Sequence, residues 1–234
     1  MKQENFNYLA KQIQFLGFGD QHQKELEKAM KKGKEDFVLP ITLAYGSTGE
    51  KAEVAYKLNF RKGNEDMYFL NSYHAAHNGM EAKFFVNQGE KNITSKEAFN
   101  LMEGRSVYRE LSNREGEKYS AWVKIDPDSV GQENIRFQTF NENYGYDLKA
   151  ALNKVLDKQL FFAYNKDDVM KSLEKGNVVE VMTADKSQKY FVAADPQYKT
   201  MAIFDMEGSK LKLDDINKIQ SMSLNQKQGM SMGM

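Results

Sequence analysis

The chain has 234 residues, of which 41% are hydrophobic and 28% charged, so it is long enough to bury a core as one large domain or two small ones. Its 33 lysines and arginines balance its 33 aspartates and glutamates, which excludes a strong overall field for non-specific capture of nucleic acid, although not a local charged patch. The absence of cysteine excludes disulfides, thiol nucleophiles and cysteine-ligated metals, and it fits a reducing compartment.

No stretch of the sequence is apolar over the length that a membrane-spanning helix needs. The first segment, MKQENFNYLAKQIQFLGFG, lacks the apolar run of a signal peptide, because its apolar residues are periodic rather than contiguous. We therefore expect a cytoplasmic protein.

Two amphipathic helices are predicted first along the chain. In NFNYLAKQIQFLGFG the apolar residues recur every three or four positions, as on one buried helix face, and Gly17 stands where the helix would end. In DQHQKELEKAMKKG we expect Asp20 to cap a second helix that stops at Gly33. The alternating segments FVLPITLAY and VAYKLNF then predict two strands, and Pro40 places the first of them at a sheet edge or a bulge.

The rest of the chain repeats this alternation of helices and strands. In ITSKEAFNLMEG, Thr94 and Glu97 have the spacing of a capping box and Gly104 closes the helix. YSAWVKI predicts a strand, DLKAALNKVL and NKDDVMKSLEKG predict two more helices, and a short last helix is expected from Asp214. The short, turn-rich links favour antiparallel hairpins, so the predicted fold class is α+β, built of helix-plus-antiparallel β-meander units.

The order helix, glycine, strand occurs three times, at Gly33, Gly104 and Gly176. At an offset of 143 residues the first and last copies align without gaps and share a leucine, a phenylalanine, a glycine and three lysines. Two interpretations stay open: an internal duplication, or helix-stop chemistry that recurs because a left-handed glycine lets a helix turn directly into a strand.

Known catalytic motifs are absent from the sequence: there is no P-loop, nucleophile elbow, dinucleotide fingerprint or paired-histidine zincin motif. His74 and His77 would share a face if they lay on a helix, but they follow a predicted strand, where a loop is expected, and no carboxylate run completes a ligand set. We predict no metal site and no cofactor.

The segment FNENYGYDL has the densest aromatic and polar character in the chain. Tyr144, Tyr146 and Asp147 would line a pocket or a partner surface, with Gly145 allowing close backbone approach. The competing interpretation is a strand end and a glycine turn, followed by an aspartate at the start of a helix.

Two further segments offer candidate binding residues. Arg105 and Arg109 in GRSVYRE would bind a phosphate or a carboxylate, unless they simply face water on the outside of a strand. Trp122 in YSAWVKI either packs beneath a helix on the second face of its sheet or is exposed for binding.

The blocks GRSVYRELSNREGEKYSAWVKID, FNENYGYDLKAAL, SLEKGNVVEV and ADPQYKTMAIFD, with NFNYLAKQIQFLGFG and LNFRKGNEDMYFLNSYHA, span nearly the whole chain. Together they resemble a bacterial family from Bacteroidetes-type gut anaerobes, a domain of unknown function often encoded on conjugative or integrated mobile elements. The resemblance implies an association with mobile-element biology and assigns no catalytic residues. Members of that family often continue into a lysine-rich tail, whereas this chain stops at QKQGMSMGM, which weakens a DNA-binding role taken from such a tail.

We predict an N-terminal unit over residues 1–90, a C-terminal region over residues 91–220 and a tail over residues 221–234. The leading functional hypothesis is a non-enzymatic binding or adaptor protein with a protein partner, contacted through exposed Trp122, Tyr144 and Tyr146. The third hypothesis is an enzyme whose catalytic carboxylates and tyrosines are far apart in the sequence and come together only in the folded protein.

The second hypothesis is a nucleic-acid-binding accessory module. It requires basic residues on one sheet face, with Arg105, Arg109, Lys118 and Lys124 as the candidates.

Overall fold

The structure, a computed structural model, describes residues 2–46, 51–86, 92–132 and 134–216. Its helices are α1 (Gln3–Phe15), α2 (Gln23–Lys31), α3 (Ser95–Met102), α4 (Leu148–Leu156) and α5 (Lys166–Glu174). Residues 213–216 are helical, which agrees with the helix predicted from Asp214; residues 217–234 lie outside the described ranges. Within those ranges, no helix combines the length and the hydropathy that crossing a bilayer demands.

Twelve strands are described, and they form three sheets. The strands are β1 (Asp36–Gly46), β2 (Lys51–Lys62), β3 (Tyr68–His77), β4 (Met80–Phe85), β5 (Val107–Ser112), β6 (Lys118–Ile125), β7 (Phe137–Asn141), β8 (Leu160–Phe161), β9 (Val179–Thr183), β10 (Lys189–Asp195), β11 (Thr200–Phe204) and β12 (Lys210–Leu211). The sheets have the orders β1-β2-β3-β4, β5-β6-β7 and β12-β11-β10-β9-β8, and hairpin neighbours pair antiparallel. The predicted α+β class with antiparallel meanders is confirmed.

The helix stripes and strand alternations that the sequence predicts are present. Leu9, Ile13 and Leu16 of the first helical segment are buried, and Pro40 lies on β1, which is an edge strand of its sheet. The predicted cap at Asp20 is wrong, because a turn follows the left-handed Gly19 and α2 begins only at Gln23.

The core of the N-terminal unit is aromatic. Phe18 is fully buried and meets the rings of Tyr56 and Tyr73 edge to face, at centroid distances of 5.1 and 5.2 Å. Both tyrosine hydroxyls are satisfied by main-chain carbonyls, since that of Tyr56 donates to Ser95 O at 2.8 Å and that of Tyr73 donates to Ile93 O at 2.7 Å. These bonds hold α3 against the sheet β1–β4.

The chain divides into two units between Thr139 and Phe140, rather than near residue 90 as the sequence composition suggested. Helix α3 follows the predicted boundary, yet Ser95 donates both its main-chain N–H and its hydroxyl to the end of the first helical segment, at Leu16 O and Gly17 O. The segment 92–139 therefore belongs to the N-terminal unit. The predicted tail, 221–234, lies outside the described residues.

Each unit contains two helices followed by a four-stranded antiparallel meander, α1-α2-β1-β2-β3-β4 in the first and α4-α5-β9-β10-β11-β12 in the second. Adding 143 to the bounds of α2 gives 166 and 174, the bounds of α5, and adding 143 to the first residue of β1 gives 179, the first residue of β9. This agreement in order and position supports the internal duplication. The two units differ by β8, which has no counterpart between α1 and α2 in the described part of the chain.

The glycines that recur after helices have the predicted left-handed conformation, with φ of 69° at Gly33, 73° at Gly104 and 76° at Gly176. A side chain in this conformation places Cβ too close to the backbone, which is why glycine ends these helices. At Gly104 an added Cβ would meet no heavy atom within 4 Å, so the surroundings impose no further restriction.

We expect Gly104→Ala to lower the free energy of unfolding by about 1 kcal/mol, because alanine must adopt the left-handed conformation there. Urea unfolding followed by the fluorescence of Trp122, in the same unit, measures the change. Gly46→Ala is the matched control, since Gly46 has equal space and no left-handed φ, and it should leave stability unchanged or slightly raised. Equal losses at the two positions would contradict the conformational explanation.

Candidate functional site

The predicted segment FNENYGYDL connects β7 to α4 by a short turn. Residues Glu142–Tyr144 form one 3-10 turn, and Gly145 then adopts the left-handed conformation at φ 77°. Asp147 is the N-cap of α4, and its Oδ1 accepts the main-chain N–H of Ala150 at 2.9 Å. The capping interpretation is therefore confirmed for Asp147, whose carboxylate is engaged at the helix start.

Tyr144 contacts the β10–β11 hairpin, more than fifty residues later in the chain. Its hydroxyl donates to Gln197 O at 2.7 Å, and Lys199 Nζ lies 4.9 Å from its ring centroid. Phe140 supports the ring edge to face at 5.0 Å. The ring is 37% exposed, so a fixed aromatic face remains available to a partner.

A second tyrosine is exposed on the same hairpin. Tyr198 is 67% exposed, and Lys210 Nζ lies 5.6 Å from its ring centroid. The same ammonium group pairs with Asp195 Oδ2 at 3.1 Å, which orients it beside the ring. We call Tyr144, Tyr198, Lys199 and Lys210 the tyrosine–lysine surface.

Sequence reasoning identified Tyr144 but missed the other three residues of this surface. The link between the two segments is a long-range contact that no periodicity reports. The local signal was the turn ADPQYK, whose lysine, Lys199, directly follows Tyr198 and has the left-handed conformation, φ 52°.

Tyr146 is not an exposed anchor, which corrects the prediction. Its hydroxyl donates to Met201 Sδ at 3.7 Å, and burial raises the pKa of the phenol above its usual value. The residue therefore serves the interior of the C-terminal unit rather than a partner surface.

Trp122 is also buried rather than exposed, with only 5% of its surface accessible. Its ring lies 5.3 Å from that of Tyr108, its cross-strand partner on β5. Ala121 and Val123 on the opposite face of β6 are buried as well, so both faces of the strand are covered at this point. The burial of Trp122 contradicts the prediction of an exposed binding residue, and the neighbour that contacts its ring is Tyr108 on β5.

Arg105 lies in a polar cluster at the end of α3 and does not face water. It donates to Asn100 Oδ1 at 2.7 Å, lies 3.6 Å from Glu103 Oε2, and stacks over the ring of Phe99 at 5.2 Å. Burial lowers the pKa of Arg105. Lys96 also lies over the Phe99 ring, and burial lowers its pKa to about 8. This cluster stabilises the contact between α3 and the sheet.

His77 belongs to the same cluster, whereas His74 does not. Both lie on β3, not in the loop that was predicted, and because they are three residues apart on a strand they project to opposite faces. His77 contacts Glu103 Oε1 and Glu53 O, each at 2.9 Å, while His74 contacts Asn59. The two imidazoles cannot share one metal ion, and no group of three acidic or imidazole ligands is arranged for a metal in the described ranges.

The basic sheet face proposed for nucleic acid does not form from Arg105, Arg109, Lys118 and Lys124. Arg109 is buried against Glu97, with NH1 and Oε2 3.0 Å apart, and Lys118 pairs with Glu110 at 3.5 Å. Sequence reasoning misplaced Arg109 because the carboxylate of Glu97 on α3 reaches the strand only in the tertiary structure, whereas Arg105 contacts Asn100 and Glu103, which are near it in the sequence.

A different sheet face combines the basic and aromatic side chains that nucleic-acid binding requires. On β1–β4 the side chains that alternate with the buried ones include Val38, Phe69 and Phe85, each about half exposed. Lys57 and Lys83 lie on the same side of the sheet. We call this the outer sheet face.

No protein-family model, curated protein or solved structure matches the chain. The functional argument therefore depends on the geometry of these two surfaces.

Proposed function

We propose that the chain is a non-enzymatic binding protein, a cytoplasmic adaptor of mobile-element biology, and that its partner is a protein. The observation that supports this proposal best is the tyrosine–lysine surface of the C-terminal unit. Tyrosine is enriched at the energetically dominant positions of protein interfaces, because it buries a large area with few rotatable bonds.

One tyrosine and one lysine of this surface are held in place before any partner binds. Tyr144 is fixed by its hydrogen bond to Gln197 and by the Phe140 ring, and Lys210 is oriented by Asp195 beside Tyr198. A pre-ordered surface loses little conformational entropy on association, which favours affinity. Lys199 and Lys210 favour a partner with acidic residues around an apolar centre.

The titratable groups with the largest pKa shifts support a structural rather than a catalytic role. Burial raises the pKa of Tyr56 and of Tyr73, both of which lie in the aromatic core and donate to main-chain carbonyls. A catalytic group would instead need contact with a substrate in a cleft.

The proposal is tested by capture of partners from the native host, followed by titration of the purified partner. We expect Tyr198→Ala to weaken binding of that partner about tenfold or more, as for a central aromatic anchor. Tyr164→Ala is the matched control, because Tyr164 is equally exposed at 70% in the same unit but lies outside the surface. Equal affinity of the Tyr198 variant and the wild-type protein would refute the assignment.

A nucleic-acid-binding accessory module is the second candidate function. The observation that favours it is the outer sheet face of the N-terminal unit, where phenylalanines and basic residues alternate. This chemistry is independent of the tyrosine–lysine surface and of the residues predicted from the sequence.

A further inference from the structure

The strand register arranges the outer sheet face in rows that cross the sheet. Three successive rows are Asp36–Arg61–Phe69, Val38–Asn59–Ser72–Phe85 and Pro40–Lys57–His74–Lys83. With strands about 4.8 Å apart and rows about 6.7 Å apart, they form a platform about 14 Å on each side.

The apolar side chains of the outer sheet face are open to solvent, whereas Ser72 in the middle row is buried. Phe85 is 53% exposed, Val38 53% and Phe69 49%, whereas the opposite side of the same strands supplies buried core residues such as Leu39 and Tyr73. Helices α1, α2 and α3 pack on that buried side, as the contacts of Ser95 and Asn5 with the unit's core show. Within the described ranges, the three helices therefore leave the aromatic platform uncovered.

Basic groups lie beside the phenylalanines. Lys83 Nζ is 5.0 Å from the ring centroid of Phe85, and neither Lys83 nor Lys57 forms an ion pair with any residue that the structure describes. Arg61 has an exposed contact with Asp36, 3.9 Å between Nε and Oδ1, which is a weak pair. The acidic residues Glu53 and Glu81 lie in the following rows, beyond the aromatic platform.

Uncharged hydrogen-bonding groups occupy the middle of the platform. Asn59 Nδ2 lies 3.0 Å from His74 Nδ1 and 3.3 Å from Ser72 Oγ. Because the amide nitrogen donates, His74 Nδ1 accepts, and the neutral imidazole carries its proton on Nε2. Burial, with Lys83 and Lys57 nearby, lowers the pKa of His74 and favours that neutral ring. The platform thus offers the partly exposed imidazole of His74 beside its rings and cations, whereas Ser72 is buried.

We propose that the outer sheet face binds single-stranded nucleic acid, with bases stacked on Phe69 and Phe85 and phosphates bound by Lys57, Arg61 and Lys83. Exposed rings beside cations on an antiparallel sheet match a strand whose bases are free to stack, whereas the bases of a duplex are already paired and stacked. A protein partner would favour an apolar centre with charges only at the rim, but here Arg61 shares a row with Phe69, and both lysines lie in the row next to Phe85.

The balanced charge of the chain sets the expected affinity. Three phosphate contacts on a single strand give a slope of log affinity against log salt of about −2, so binding should weaken about tenfold between about 50 and 150 mM salt. We expect micromolar dissociation constants at the lower salt concentration, and no binding to DNA tighter than micromolar at about 150 mM.

Fluorescence anisotropy of the full chain with labelled oligonucleotides of about ten nucleotides tests the proposal. Oligo-dT and oligo-U, together with a duplex of the same length, separate DNA from RNA and single strands from paired ones. We expect saturable binding to at least one of the single strands and weaker binding to the duplex. Absence of saturable binding to either single strand at about 50 mM salt, or tighter binding to the duplex, would overturn the proposal.

Variants assign the binding to this face. We expect Phe85→Ala to weaken the affinity for the single strand about fivefold or more, and Phe85→Leu to weaken it nearly as much because base stacking is lost. Phe161→Ala is the control and should leave the affinity unchanged, since Phe161 is 52% exposed but lies in the C-terminal unit. Lys57→Ala with Lys83→Ala should reduce the salt slope by about 1.4. Unchanged affinity in the Phe85 variants, or loss of a protein partner instead, would refute this assignment while leaving the tyrosine–lysine surface to its own test.

Discussion

Phe18→Ala should lower the free energy of unfolding of the N-terminal unit by about 3–5 kcal/mol, the largest effect of a single apolar substitution that we expect in this protein. Phe18 has no exposed surface and joins two core tyrosines, Tyr56 and Tyr73, through edge-to-face contacts. Alanine would remove both contacts and leave a cavity that the surrounding rings cannot fill without moving.

The measurement is urea unfolding followed by tryptophan fluorescence, because Trp122 is the single tryptophan and lies in the same unit. Phe15→Ala is the control: it removes the same atoms three residues earlier, but Phe15 is 83% exposed, so its effect should stay within about 0.5 kcal/mol. A loss below about 1.5 kcal/mol for the Phe18 variant would show that this ring is not central to the core.

Glu97→Ala should destabilise the same unit by about 3–5 kcal/mol, because one carboxylate serves two structural purposes. Its Oε2 accepts the main-chain N–H and the hydroxyl of Thr94 at 2.8 and 2.9 Å, which completes the predicted capping box. The same oxygen lies 3.0 Å from NH1 of Arg109, and both side chains are nearly buried. Alanine would remove the cap and leave the buried guanidinium without this carboxylate.

A double variant separates the two contributions of Glu97. If the buried ion pair accounts for most of the loss, Glu97→Ala combined with Arg109→Met should be more stable than Glu97→Ala alone, because the buried charge is removed with its partner. Glu115→Ala, at an exposed turn, is the control and should change stability by less than about 0.5 kcal/mol. A double variant less stable than Glu97→Ala would contradict the ion-pair explanation.

The candidate surfaces show where prediction from sequence ends. The role of Asp147 at the start of α4 could be recognised because it depends on residues nearby in the sequence, whereas Tyr144 was identified without its contact to Gln197. The predicted anchors Trp122 and Tyr146 were assigned to the surface, but both are covered by residues distant in sequence, such as Tyr108 across the strand pair and Met201 on β11. Whether an aromatic ring is buried depends on what packs on it, and that information is not local.

The outer sheet face was missed for the same reason, although its residues carry a local signal. Tyr68 and Phe69 are adjacent, as are Phe84 and Phe85, and neighbouring residues on a strand project to opposite faces. One ring of each pair is buried and the other is exposed. The sequence indicated that each pair divides between two faces, but only the sheet order brings Phe69, Phe85 and the lysines into neighbouring rows.

The sequence by itself determined the local elements of this protein: the helix stripes, the capping box at Thr94, the left-handed glycines after the helices and the edge position of Pro40. These depend on side-chain periodicity and on backbone conformations set within a few residues. Only the tertiary structure decided that α3 belongs to the N-terminal unit, that Arg109 on β5 pairs with Glu97 on α3, and that Tyr144 meets the β10–β11 hairpin. Those features arise from contacts between separate elements, which are selected by the packing of the whole core and not by any short segment.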